Sequence, residues 1–102
     1  PREVELVLES HPDVAMAAVV GAPDPVYDEV GFAFVAPEEG AAAPTPSELE
    51  AFCRARLSNY KVPKRVFVEE TLPLLPIGKI DKSGLGARAR DLVAAESRSG
   101  SG

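Results

Sequence analysis

Val14-Ala15-Met16-Ala17-Ala18-Val19-Val20-Gly21 is an unbroken apolar run of strand length, and such a run predicts a strand covered on both faces. Gly21-Ala22-Pro23-Asp24-Pro25 follows it as a cluster of turn residues. Beyond the turn, Val30, Phe32 and Phe34 alternate with Gly31, Ala33 and Val35, which predicts a second strand over Val30 to Ala36. The short 22–29 connection makes this pair antiparallel. On the other side of the opening run, Val4, Val7 and Leu8 share one helical face between Glu3 and Ser10. Glu3 and Glu5 lie in the first turn of that helix, where acids suit its dipole, and Pro12 stops it.

Downstream, Pro37 to Pro44 is a Gly/Ala/Pro loop. Thr45-Pro46-Ser47-Glu48 then has the form of a helix start, with a Thr cap, Pro at the first position and Glu three residues after Thr. Leu49, Phe52, Cys53 and Leu57 continue it as an apolar stripe on a helix of about three turns, ended by Asn59 and the Val62-Pro63 step. Val66-Phe67-Val68, within Arg65 to Glu69, predicts a third short strand. From Ser83, the residues Leu85, Ala89, Leu92 and Val93 mark a last amphipathic helix, weakened at its start by Gly84 and Gly86. The order predicts a small α+β domain over 1–95, a three-stranded sheet with helices packed on it. Residues 96–102 are expected to form a flexible polar tail. The chain starts at Pro1 without Met and runs straight into a helix pattern, so a piece of a longer polypeptide is expected.

At 102 residues, 45% hydrophobic and 26% charged, the composition is that of one ordinary globular domain. The net charge of -5, with no basic stripe carrying aromatics, argues against nucleic acid as a partner. No apolar run approaches the length of a membrane span, and there is no signal peptide pattern. A single cysteine fits a reducing compartment, so a cytoplasmic location is expected.

Chemistry-bearing residues are few. Neither phosphate-binding glycine motif is present, so the chain shows no phosphate cradle of its own. His11, beside Pro12 at a helix end, reads as structural or solvated, and no metal site is expected. Cys53 lies on the apolar stripe and reads as a small buried hydrophobe. Asp24, Asp28 and Glu29 read as acids of a solvated turn. Lys61, Lys64 and Arg65 form a small basic group before the third strand. They read as a solvated face or, functionally, as a contact for an anion such as a phosphate. Last comes Leu72-Pro73-Leu74-Leu75-Pro76-Ile77-Gly78-Lys79-Ile80-Asp81-Lys82. Its two prolines disfavour a helix or a central strand, and Gly78 opens dihedrals closed to other residues. The segment reads as a stiff apolar loop presenting one ammonium, Lys79.

Three segments, taken in order, resemble one family. Pro1-Arg2-Glu3-Val4-Glu5 with Leu8 and His11-Pro12 comes first. Val19-Val20-Gly21-Ala22-Pro23-Asp24, Glu29-Val30 and Ala33-Phe34-Val35 follow. Tyr60-Lys61-Val62-Pro63, Leu72-Pro73 and Gly78-Lys79-Ile80 complete the set. The set, which extends to about residue 90, resembles the small, mobile C-terminal lid domain of AMP-forming acyl-CoA synthetases. These belong to the adenylate-forming superfamily with luciferases and peptide-synthetase adenylation domains.

The resemblance implies that Lys79 is a catalytic lysine, carried on a loop supported by Gly78, Pro73 and Pro76. It implies ATP with magnesium, and coenzyme A, as substrates of a full-length enzyme, with none bound by this piece alone. It also implies a carboxylic acid substrate, a fatty or related acid, and a large N-terminal adenylation domain in the same polypeptide. Lys61, Lys64 and Arg65 become a possible CoA contact, and a lysine acetyltransferase acting on Lys79 becomes a possible partner. Two departures stand out. Leu74, Leu75 and Ile77 occupy positions where the family usually has a basic residue and small hydroxylated ones, and this flank is expected either to pack on the sheet or to meet the absent domain. Asp28 stands where the family's Gly-Glu pair has glycine, so the turn geometry there is expected to differ. A peptide-synthetase adenylation domain, and a stand-alone binding or regulatory module of the same fold, remain the alternatives.

Overall fold

The computed structural model describes residues 2–96 with their side chains and the backbone as far as residue 100. Helix α1 (Arg2–Glu9) leads into β1 (Val14–Asp24) and β2 (Asp28–Pro37). Helix α2 (Pro46–Arg54), a single 3-10 turn (Asn59–Lys61), β3 (Arg65–Val68) and α3 (Lys82–Gly100) complete the chain. The sheet order is β1-β2-β3, with β1 antiparallel and β3 parallel to the central β2. The α+β class and the three-stranded sheet are as expected.

Strand alternation sorts the core into two layers. Ala17, Val19, Ala33, Val35 and Val66 face α1 and α2, where Val4, Leu8, Leu49 and Cys53 close a buried cluster. Ala18, Val20, Phe32, Phe34 and Ala36 face the opposite way, against Leu72, Leu85 and Ala89. The sheet is therefore covered on both faces, which is why β1 reads as a continuous apolar run rather than an alternating one. Val14 breaks the parity, lying with the odd-numbered residues of β1. The register explains this: Val14 pairs with Pro37 but Met16 with Ala36, so Ala15 is a bulged extra residue that resets the alternation.

Thr45 caps α2 as expected, its Oγ1 accepting the Glu48 amide at 3.1 Å. Several boundaries differ from expectation, β2 for one starting at Asp28 and ending at Pro37. β1 runs on through Ala22-Pro23 to Asp24, so the turn narrows to Pro25, Val26 and Tyr27. α2 stops at Arg54, and Leu57 packs half-buried against the core from beyond its end. α3 begins at Lys82, and its backbone stays helical to Gly100, through most of the segment expected as a tail. Residues 101–102 lie outside the described residues.

Asp28 has φ 69°, and Glu29 donates its amide to the Tyr27 carbonyl at 2.7 Å around it. Asp28 thus adopts a positive φ, a geometry that glycine takes freely and an aspartate takes at some cost. Asp28→Gly is expected to raise stability by about 0.5 kcal/mol, the relieved strain outweighing glycine's extra freedom when unfolded. The melting temperature of the chain should rise by about 2–4 °C. A fall would show that the Asp28 side chain stabilises the turn.

Candidate functional site

The 72–82 segment is a closed hairpin rather than an open loop. Leu72 is buried beside Leu85 and anchors one end in the core. The Asp81 amide then bonds the Pro73 carbonyl at 2.9 Å, Leu74 bridges Ile80, and the Leu75 amide bonds the Lys79 carbonyl at 2.7 Å. The Gly78 amide returns to the Leu75 carbonyl at 2.8 Å, leaving Pro76, Ile77 and Gly78 as the tip. This is the pattern of a three-residue hairpin loop with a left-handed residue at its end. Gly78 is that residue, at φ 90°. Nothing lies within 4 Å of where its Cβ would be, so the backbone dihedral, not crowding, requires glycine.

Asp81 makes the hairpin's exit the cap of α3. Its Oδ1 accepts the Gly84 amide at 2.9 Å and its carbonyl accepts that of Leu85 at 3.1 Å. A Cβ on Gly84 would lie 2.8 Å from Asp81 Oδ2, so this glycine makes room for the cap at some cost in helix propensity. The next residue, Lys82, reaches across the free edge of β1 to Glu5 on α1, Nζ to Oε2 at 2.5 Å. Glu5 is buried. The same oxygen accepts the Val19 amide at 2.8 Å, and Arg2 lies 3.4 Å from the other. Burial pushes the Glu5 carboxyl up, but Lys82, the Val19 amide and Arg2 together outweigh it and hold it below the ordinary carboxylate value. Sequence reasoning placed Glu5 only as a first-turn acid and did not single out Lys82. One signal was available: Glu5 lies three residues before Leu8, on the flank of the helix's apolar face.

The hairpin presents Lys79 to solvent. Of the four lysines, Lys61, Lys64 and Lys82 each hold a carboxylate, and Lys79 alone has no such partner among the described residues. The apolar flank does not pack on the sheet: Leu74 is 52%, Leu75 41% and Ile77 75% exposed.

The other basic group is divided by the structure. Lys61 pairs with Glu3 at 2.6 Å and Lys64 with Asp24 at 2.8 Å. Both line an open cavity of about 760 Å³ beside the first hairpin. Gly21 and Gly31 sit opposite each other in the register and hollow its floor, with the Glu29 carboxylate folded over Gly21. Tyr27 and Tyr60 stand at its mouth, largely exposed. Arg65 does not line that cavity. It pairs with Glu96 of α3, lies over the Phe67 ring and borders a second cavity of about 300 Å³, which Lys64 also lines. The hydrogen bond and charge of Glu3 hold the Lys61 ammonium above its ordinary value, so it stays protonated.

Asp24 is more than a solvated turn acid. It accepts Lys64 and the Tyr27 and Val26 amides, and these bonds bring its carboxyl down to about 2. A carboxyl depressed on folding contributes stability above its unfolded value and loses it as pH falls through the folded one. Asp24→Asn should therefore be less stable than the parent chain at pH 7. The gap should shrink below pH 3.8 and close near pH 2 in urea unfolding. A gap constant across that range would assign the loss to shape rather than charge.

His11 is structural: its Nδ1 accepts the Asp13 amide at 3.1 Å and its ring meets Phe52 edge-on at 4.9 Å. Cys53 is buried, which pushes its thiol up and away from nucleophilic character. Among the described residues, no group of three His, Cys, Asp or Glu is placed to hold a metal ion, and no helix is long and apolar enough to cross a membrane.

Comparison with known proteins adds a family to this geometry. The model of the family described as AMP-binding enzyme C-terminal domain matches residues 3–79, ending on Lys79. The chain is 43% identical over 94 residues to a 2-methylpropanoate–CoA ligase of Humulus lupulus, covering 91% of this chain and 17% of that one. It is 43% identical over 82 residues to an oxalate–CoA ligase of Arabidopsis thaliana, covering 80% of this chain and 16% of the relative. Among solved structures, an amide bond synthetase from Marinactinospora thermotolerans superposes with a TM-score of 0.76 at 44% identity, covering 84% of this chain and 17% of that one. The chain thus spans 16% to 17% of the length of these proteins.

Proposed function

We propose, from the premise that this chain belongs to the AMP-binding enzyme C-terminal domain family, that it is the lid of an acid–CoA ligase. The parent enzyme activates a carboxylic acid, a fatty or related acid, in two steps. The carboxylate attacks the α-phosphorus of ATP, forming a new P–O bond and releasing pyrophosphate. The thiol of coenzyme A then displaces AMP from the acyl-adenylate to give the thioester. Magnesium accompanies ATP as substrate. The acid pocket and the phosphate loop belong to a large N-terminal domain of the same polypeptide, and this domain alone binds no nucleotide.

Lys79 is the residue this domain contributes to the first step. The observation that carries the reading is its placement: the one lysine without a carboxylate partner among the described residues, on a hairpin held by backbone bonds and two prolines. Two anions must meet in that step, and negative charge moves onto the bridging and leaving oxygens. An ammonium reaching both carboxylate and phosphate stabilises the transition state more than the ground state. A compact charge on a flexible stem suits the task, and Pro73, Pro76 and Gly78 limit the entropy lost in placing it. For the second step the lid rotates, withdrawing Lys79 and turning the Lys61 and Lys64 cavity toward the phosphates of coenzyme A. Both lysines would exchange a carboxylate partner for a phosphate. The enzyme works in the cytoplasm. A lysine acetyltransferase acting on Lys79 would remove its charge and stop the first step.

The likeness to an amide bond synthetase supports a second reading, in which the acceptor is an amine rather than a thiol. One experiment separates the two. The full-length enzyme, given ATP and a panel of acids, should release pyrophosphate only with its acid and form a thioester when coenzyme A is added. Acid-dependent pyrophosphate release without thioester, and with amide on adding an amine, would pass the assignment to the second reading. No acid-dependent release with any acid would overturn both.

A further inference from the structure

Leu74, Leu75 and Ile77 are the large apolar side chains that the hairpin leaves in solvent. They cannot be excused as a loosely ordered flank, because each sits within a segment closed by backbone hydrogen bonds from Pro73 to Asp81. Leu75 stands directly across the hairpin from Lys79, so alternation gives the two side chains the same face. Ile77 is at the tip, between Pro76 and the Gly78 that sets the tip's shape. Any surface that receives Lys79 must therefore receive Leu75 and Ile77 with it. A rigid apolar tip beside one ammonium suits a partner surface that is itself apolar, with a buried anion beyond it.

We propose that Leu75 and Ile77 form an apolar foot that seats on an apolar rim of the large domain, around the opening through which Lys79 reaches the reacting groups. This rests on the assignment of Lys79 above and adds the partner surface to it. The occupant follows from where Lys79 acts and from the relatives, in which more than four-fifths of the polypeptide lies outside the matched segment. Leu75 and Ile77 are positioning residues. They touch no substrate; they hold the lid in the pose of the first step and are released in the second.

The test uses the full-length enzyme and reads the two half-reactions separately. Ile77→Ser and Leu75→Ser should each slow acyl-adenylate formation in a single turnover by about tenfold, the loss of one buried aliphatic side chain. The KM values for ATP and acid should stay unchanged, because the large domain binds both. Thioester formation from supplied acyl-adenylate should keep its parent rate, and Ile77→Leu should restore the first step. Parent-like adenylation in the Leu75→Ser, Ile77→Ser double variant would overturn the proposal, as would equal loss of both half-reactions. So would a concentration-dependent dimer abolished by Ile77→Ser without change in adenylation, which would seat the foot on a second copy. Lys79→Ala run in parallel keeps the two claims apart. If it retains adenylation, the Lys79 assignment fails. If it loses adenylation while the double variant keeps it, only the foot fails.

Discussion

Lys79→Ala in the full-length enzyme is expected to slow acyl-adenylate formation by about 10²- to 10³-fold, the usual loss when one preorganised transition-state donor is removed. Binding should change much less. The ammonium meets developing charge, so its removal should appear in kcat for the first step more than in KM for ATP or acid. Folding should be untouched, because Lys79 is exposed and holds no carboxylate among the described residues. Lys79→Arg should recover only part of the rate. A planar guanidinium has the charge but neither the compact head nor the freedom to contact a carboxylate and a phosphate at one point. Stopped-flow measurement of pyrophosphate release over a range of ATP and acid concentrations checks the rates and KM values of both variants, and thermal unfolding checks that the fold is untouched.

Glu5→Ala is the substitution expected to cost the most stability, about 3 kcal/mol. Its carboxylate is buried between α1, the free edge of β1 and the start of α3. Its removal leaves the Val19 amide without an acceptor and Lys82 without its partner. At about 4–8 °C per kcal/mol for a domain of this size, the melting temperature should fall by more than 10 °C. Glu5→Gln keeps an acceptor for Val19 and should cost about 1 kcal/mol. The folded carboxyl lies below its ordinary value of 4.5, so its contribution is present above that pH and lost as pH falls through the folded value. Urea midpoints of parent and Glu5→Gln should therefore differ at pH 7 and approach each other as pH falls below 4.5. A Glu5→Ala chain as stable as the parent would show that the amide and the lysine find water or other partners at no cost. The pair also ties α1 to the point where the Lys79 hairpin runs into α3.

Much of the architecture was legible because it rests on local patterns. The run over Val14–Gly21, the alternation over Val30–Ala36 and the Thr45-Pro46-Ser47-Glu48 start each carry their structure in a few adjacent residues. What sequence reading missed depends on residues far apart. Nothing local says that β3 joins β2 in parallel, or that Glu5 and Lys82 meet across an edge strand. The bulge at Ala15 is visible only in the pairing register, and the positive φ of Asp28 only in the turn itself. The basic residues before β3 looked like one group along the chain. The strand's alternation sends Arg65 to α3 while Lys61 and Lys64 stay with the first hairpin. Lys79 is the reverse case. As composition it is a loop lysine, and it acquired meaning only from the ordered segments around it. Among the described residues it is the lysine that holds no carboxylate, which is the observation the proposed role rests on. The exposed Leu74, Leu75 and Ile77 settle one point left open by the sequence, since the flank does not pack on the sheet.

The central claim is that Lys79 serves the first half-reaction and leaves before the second. The measurement that tests it most directly gives the full-length Lys79→Ala enzyme its own acyl-adenylate and coenzyme A and follows thioester formation. The expected result is a rate within about twofold of the parent enzyme, with adenylation from ATP and acid lost. Adenylation retained within a few-fold, or thioester formation lost in parallel with it, would contradict the claim.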